Sequence, residues 1–246
     1  MNMFRKLTAI LLALLMITMI TACGTSSKSG ENDELDTPDS SEAVSGGWEL
    51  FDNKANTLPD DVQKAFDKAT KTFTGSELKP VVYVASQVVA GTNYMVLCEA
   101  ATTTEKPDVS YQMVVIYADL EGNAEITQVK EFDLTQYTDG DGTEISTEKL
   151  SGGWETAEDR SSVVIPQKEK DIFDKAVEEL DGNELEPMAL LGTQLVAGTN
   201  YAFFCFSTLQ TEETIKGAQV VTVYEDLNGK AEVTNICTVD PADFNE

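Results

Sequence analysis

Ala65, Phe66, Ala69 and Phe73 recur at i, i+1, i+4 and i+8, a single apolar stripe that predicts a helix. Pro59 suits its first turn, Asp60 and Asp61 complement the positive end of its dipole, and Gly75 is placed to close it. Downstream the pattern changes to strands. Val81–Val89 is β-branched and apolar and Tyr94–Ala100 alternates, so that Tyr94, Val96 and Cys98 share a face. Gln112–Tyr117 and Ala124–Phe132 flank Asp119-Leu120-Glu121-Gly122-Asn123, a segment with hairpin-turn chemistry. The same succession then returns. Pro166, the stripe Ile172, Phe173, Ala176 and Leu180, and Gly182 are followed by Met188–Val196, Tyr201–Ser207, Ala218–Tyr224 and Ala231–Val239, with a turn at Asp226-Leu227-Asn228-Gly229-Lys230. One helix followed by four antiparallel strands, twice over, predicts an α+β protein in which a sheet of about four strands covers each helix.

The repetition is also literal. Gln-Val-Val-Ala-Gly-Thr-Asn-Tyr at Gln87–Tyr94 returns as Gln-Leu-Val-Ala-Gly-Thr-Asn-Tyr at Gln194–Tyr201, 107 residues on. Phe66-Asp67-Lys68, Pro80, Cys98 and Ala124-Glu125 reappear at the same offset as Phe173-Asp174-Lys175, Pro187, Cys205 and Ala231-Glu232. Ser45-Gly46-Gly47-Trp48 matches Ser151-Gly152-Gly153-Trp154 with one residue of slippage. The boundaries follow: modules at 46–133 and 151–246, joined by an acidic linker at 134–150. Each is long enough for an independent domain, and two separate cores are expected.

The first segment has a different character. Arg5 and Lys6 precede the apolar run Leu7–Ile20, and Thr21-Ala22-Cys23 closes it, the layout of a secretory signal over 1–22. The run is shorter than the ~20 apolar residues that span a bilayer. A cysteine at this position resembles a bacterial lipobox, which implies that Cys23 is lipidated and anchors the mature chain to the extracytoplasmic face of the cell membrane. Residues 23–45 then form a polar tether with too few apolar side chains to offset the entropy of ordering.

The formal net charge of −26 argues against nucleic acid and anionic lipid as partners. The chain has no histidine, which removes Ser-His-Asp and Cys-His catalysis and most zinc sites, so no enzyme, metal or cofactor is expected. With Cys23 carrying lipid, Cys98, Cys205 and Cys237 remain. Cys98 and Cys205 read as small buried hydrophobes, and a Cys205–Cys237 bridge would span an intervening strand. Asp139-Gly140-Asp141-Gly142-Thr143-Glu144 has alternating oxygen ligands, as calcium loops do, but lacks the remaining positions of an EF-hand and reads as linker.

The octapeptide, the Gly-Gly-Trp before each module and the helix-then-sheet order together resemble the cystatin family, most closely its plant members. The resemblance implies inhibition of papain-like cysteine proteases by a three-part wedge. Its central loop corresponds to Gln87, Val88, Val89, Ala90 and Gly91, and to Gln194, Leu195, Val196, Ala197 and Gly198. Its N-terminal trunk corresponds to Gly46 and Gly47, and to Gly152 and Gly153. Glycine at the loop is expected to let backbone approach the protease closely. The second hairpin departs from the family: Leu120 and Leu227 stand where a tryptophan is usual, and no proline accompanies them. The resemblance thus implies a monomeric, surface-anchored protease inhibitor. The alternative is a non-inhibitory binding or assembly module that keeps the same fold.

Overall fold

A computed structural model describes residues 47–51, 57–105, 109–138, 153–156, 165–178, 180, 183–210 and 214–244. Repeat 1 contains β1 (Glu49–Leu50), α1 (Asp60–Thr70), β2 (Ser76–Val89), β3 (Gly91–Thr102), β4 (Val109–Ala118), β5 (Ala124–Glu131) and the short helix α2 (Thr135–Thr138). Repeat 2 contains β6 (Glu155–Thr156), α3 (Gln167–Val177), β7 (Asn183–Val196), β8 (Gly198–Gln210), β9 (Thr214–Glu225), β10 (Ala231–Val239) and a closing 3-10 turn at Pro241–Phe244. Each repeat is an antiparallel five-stranded meander, in the orders β1-β2-β3-β4-β5 and β10-β9-β8-β7-β6. The α+β class stands. The expected four strands become five because a two-residue strand after each Gly-Gly-Trp pairs with the outer edge of β2 or β7.

Helix α1 starts behind Pro59 at φ −55°, a value the pyrrolidine ring imposes, and carries Asp60 and Asp61 in its first turn. It buries Val62, Ala65, Phe66 and Ala69 against Tyr83, Val96, Cys98, Val114 and Ile116. Phe73 does not extend the stripe: the helix ends at Thr70, and the Phe73 amide donates to the Thr70 carbonyl in the turn that follows. Leu180 likewise falls beyond the end of α3 and is 37% exposed. Register shifts between Pro80 and Val82 and between Tyr83 and Ala85 bulge β2, with counterparts in β7 at Pro187/Ala189 and Leu190/Gly192. The prolines sit where a missing N–H is tolerated, and the bulges bend the strand around its helix.

Each repeat has its own helix–sheet core, as expected, but a third core joins the two repeats. Strand positions that face away from α1, namely Val82, Val84, Met95, Leu97, Met113 and Val115, are buried as deeply as those that face it. They form one continuous core with Leu191, Ala202, Phe204, Ala218, Val220 and Val239 of repeat 2. The sheets thus pack face to face with a helix outside each, and each strand is apolar on both faces because both are covered. The Tyr111 hydroxyl reaches across this interface to the Leu191 carbonyl at 2.7 Å.

The stretch read as linker also contributes to this core. Leu134 is buried in it, and Tyr137 of α2 stacks on Phe132 with ring centroids 4.5 Å apart. Phe244, at the corresponding place in repeat 2, also stacks on Phe132, with ring centroids 6.2 Å apart. The Lys130 ammonium donates to the Asp243 carbonyl at 2.6 Å, and Asn235 donates to the Tyr137 carbonyl at 2.9 Å, so the end of each repeat is tied to the other. Cys98 and Cys205 are buried with the helix-facing residues and Cys237 is half-buried on β10; all three are free thiols. The signal segment, Cys23, the tether and the Asp139–Glu144 stretch lie outside the described residues.

Candidate functional site

The β2–β3 hairpin reverses over a single residue. Val89 pairs with Gly91, and Ala90 alone lies between them. Such a reversal needs a backbone that an L side chain rarely adopts, and Gly91 supplies it at φ +138°. Space is as restrictive as conformation. A Cβ at Gly91 would run into the Ala118 carbonyl oxygen and stand 2.8 Å from Cε2 of Tyr117. Repeat 2 repeats the solution: Gly198 has φ +141°, and its Cβ would meet the Glu225 carbonyl oxygen and Cε2 of Tyr224 at 2.7 Å. Gly91 and Gly198 are therefore buried against their own sheet, whereas the expectation was that they bring backbone close to a protease. The tips are Ala90 and Ala197.

The rest of the octapeptide braces this turn. Gln87 and Asn93 face each other across the ladder, and the Asn93 amide donates to Gln87 Oε1 at 2.8 Å; Asn200 donates to Gln194 at 2.7 Å in the same way. Tyr117 lays its ring beside Gly91 and donates its hydroxyl to the Ala90 carbonyl at 2.6 Å, as Tyr224 does to Ala197. The two tyrosines brace the hairpins, a role that the sequence pattern alone does not assign to them. Their signal was their shared place at the 107-residue offset, one strand away from the motif in the ladder.

The second hairpin opens at the same end of the sheet, since β4 runs to Ala118 beside Thr92 and β5 returns from Ala124. Asp119 accepts from the Asn123 amide at 2.6 Å and from its side chain at 2.8 Å, and Lys68 of α1 donates to the Gly122 carbonyl at 2.7 Å. The Asn123 side-chain bond, with help from backbone donors, holds the Asp119 carboxyl below the usual range. Asp226 organises its own turn by accepting from the Asn228 and Lys230 amides at 2.8 and 2.9 Å, and those backbone bonds, Lys230 first, lower its pKa too.

The third segment is the entry to β1. Glu49 pairs with Ser86 and Leu50 with Ala85, so the chain before Glu49 runs antiparallel to β2 toward Val88. Gly47 and its counterpart Gly153 are exposed there, whereas Gly46 and Gly152 lie outside the described residues. Three segments separated in sequence thus meet at one end of each sheet.

Large apolar side chains left in water concentrate at these ends. Val88 is 53% exposed and Leu195 75%, and Leu120 and Leu227 are each 85% exposed. Val89 and Val196 join them on the same hairpins. Among the described residues no cluster of three or more Cys, Asp or Glu side chains can hold a metal ion. What the edge offers is a protruding, braced apolar rim, suited to filling a concave apolar cleft on another protein. No protein-family model matches the chain, and no curated protein matches it.

Proposed function

We propose that the protein is a lipid-anchored inhibitor of papain-like cysteine proteases, held at the extracytoplasmic face of the membrane through Cys23. The observation that carries this reading is the meeting of the Gln-x-Val-Ala-Gly hairpin, the Leu-bearing second hairpin and the entry to β1 or β6 at one end of each sheet, with the apolar side chains of the two hairpins exposed.

The physical logic is occlusion. Val88, Ala90 and Leu120 enter the protease cleft as a block, with Leu195, Ala197 and Leu227 as the second set. Full burial of one Val or Leu contributes about 1.5–3 kcal/mol before ordering costs. Those costs are small here because the hairpin is braced in advance by Tyr117 and by the Gln87–Asn93 pair. No bond in the inhibitor has to be cleaved, and the backbone moves little on binding.

One observation favours a second reading, a binding or assembly module without inhibitory action. Gly91 and the Gln87–Asn93 pair serve the hairpin itself, so the motif has a folding role that does not depend on any protease. The two readings separate in one experiment: titrating the full chain, in detergent, into papain turning over a peptide substrate. Competitive inhibition is expected. Full activity of papain and of several related proteases at saturating chain would favour the binding module instead.

A further inference from the structure

We propose that the chain holds two target proteases at once, one at each end of the molecule; this rests on the inhibitory reading above. The inference comes from how the repeats pack. Leu134 follows β5 at the end of sheet 1 opposite the Ala90 tip. Its side chain lies against Gly192, where a Cβ would stand 3.0 Å from Leu134 Cδ2 and 2.9 Å from the Glu155 carbonyl oxygen. Gly192 belongs to the half of β7 that leads into the Ala197 tip. The far end of sheet 1 is therefore packed on the tip half of sheet 2.

Two hydrogen bonds follow the same order. Tyr111, near the far end of β4, donates to Leu191, the residue before Gly192. The carbonyl of Tyr137, in the helix after β5, accepts from Asn235 in the middle of β10. These contacts point to a head-to-tail stack, in which the Ala90 and Ala197 tips lie at opposite ends.

Strands of 14 residues in both β2 and β7 set the scale. At about 3.3 Å per residue each sheet is roughly 45 Å long, so the tips of two overlapped, opposed sheets stand on the order of 40 Å apart. A globular target of roughly 200 residues has a radius of gyration of about 16 Å. Two such targets, each approaching outward from its own end, do not meet. The ends are also chemically alike, as Val88/Leu195, Val89/Val196 and Leu120/Leu227 put the same apolar class at the same exposed positions. The shared inter-sheet core fixes the separation, so the first protease bound leaves the second tip as accessible as before.

The test is native mass spectrometry of the full chain with excess papain whose nucleophilic cysteine is replaced by alanine. Two papains per chain are expected. Val88→Glu with Leu120→Glu should reduce this to one, and Leu195→Glu with Leu227→Glu should do so independently. Saturation at one papain by the parent chain would overturn double occupancy while leaving the inhibitory reading intact. No complex at all would overturn both.

Discussion

The hydroxyl of Tyr117 donates to the carbonyl of Ala90 at 2.6 Å, and its ring occupies the space that a side chain at Gly91 would need. A residue at the end of β4 therefore holds the tip of the neighbouring hairpin. Gly91→Ala should cost about 2 kcal/mol or more, since it forces a strained φ and displaces either Tyr117 or the Ala118 backbone. Tyr117→Phe should cost about 1 kcal/mol and weaken target binding without unfolding the sheet. Chemical denaturation of both variants measures the difference. A Gly91→Ala protein as stable as the parent would mean that the turn tolerates a side chain and that the glycine is kept for another reason.

The shared core makes the repeats interdependent. Expressed alone, 46–133 or 151–246 would expose Met95, Leu97 and Met113, or Phe204 and Val220, to water. Neither fragment should show a cooperative melt, whereas the chain carrying both repeats should melt in one transition. Within that chain, Leu97→Ala should cost about 2–5 kcal/mol, as expected for a cavity in a close-packed interior. Two fragments that each melt sharply as monomers would contradict the shared core.

Much of the fold was legible in the sequence, and its largest feature was legible but misread. The period of α1, Pro59 before it and the hairpin residues at Asp119–Asn123 locate the elements because each reflects a local constraint. Alternation puts Tyr94, Val96 and Cys98 on one face of their strand. Met95 and Leu97, equally apolar on the opposite phase, carried the information that the other face is covered as well. Alternation shows which residues share a face; what covers each face depends on tertiary packing. Phe73 and Leu180 fit the helical stripes yet lie beyond the helix ends, because apolar spacing alone does not locate a helix end. The Gln-x-Val-Ala-Gly motif was legible as a turn, but Tyr117 and Tyr224 lie in another strand, and the contact that gives them a role exists only in the folded ladder.

The second-hairpin turns should respond to acid. Asp119 and Asp226 have pKa values below that of a free aspartate because they accept hydrogen bonds from Asn123 and from the Lys230 and Asn228 amides. Their stabilisation of the turns is present above the unfolded value of about 3.9 and is lost as pH falls through the lowered folded values. The backbone amide resonances of Asn123 and Lys230 should therefore titrate with midpoints below about 3.9. Midpoints at or above that value would show that these carboxylates do not hold the turns.

Placing a charge on all four exposed tips tests the inhibitory edge most directly. Val88→Glu, Leu120→Glu, Leu195→Glu and Leu227→Glu alter side chains that face solvent, so the melting temperature of the combined variant should stay close to that of the parent chain. The measurement is the inhibition constant of parent and variant against papain, with the melting curves as the folding control. The expected result is inhibition by the parent and a loss of at least about a hundredfold in the variant, equivalent to about 2.7 kcal/mol of binding. Equal inhibition by parent and variant, with both folded, would contradict the claim that these loop ends are the inhibitory edge.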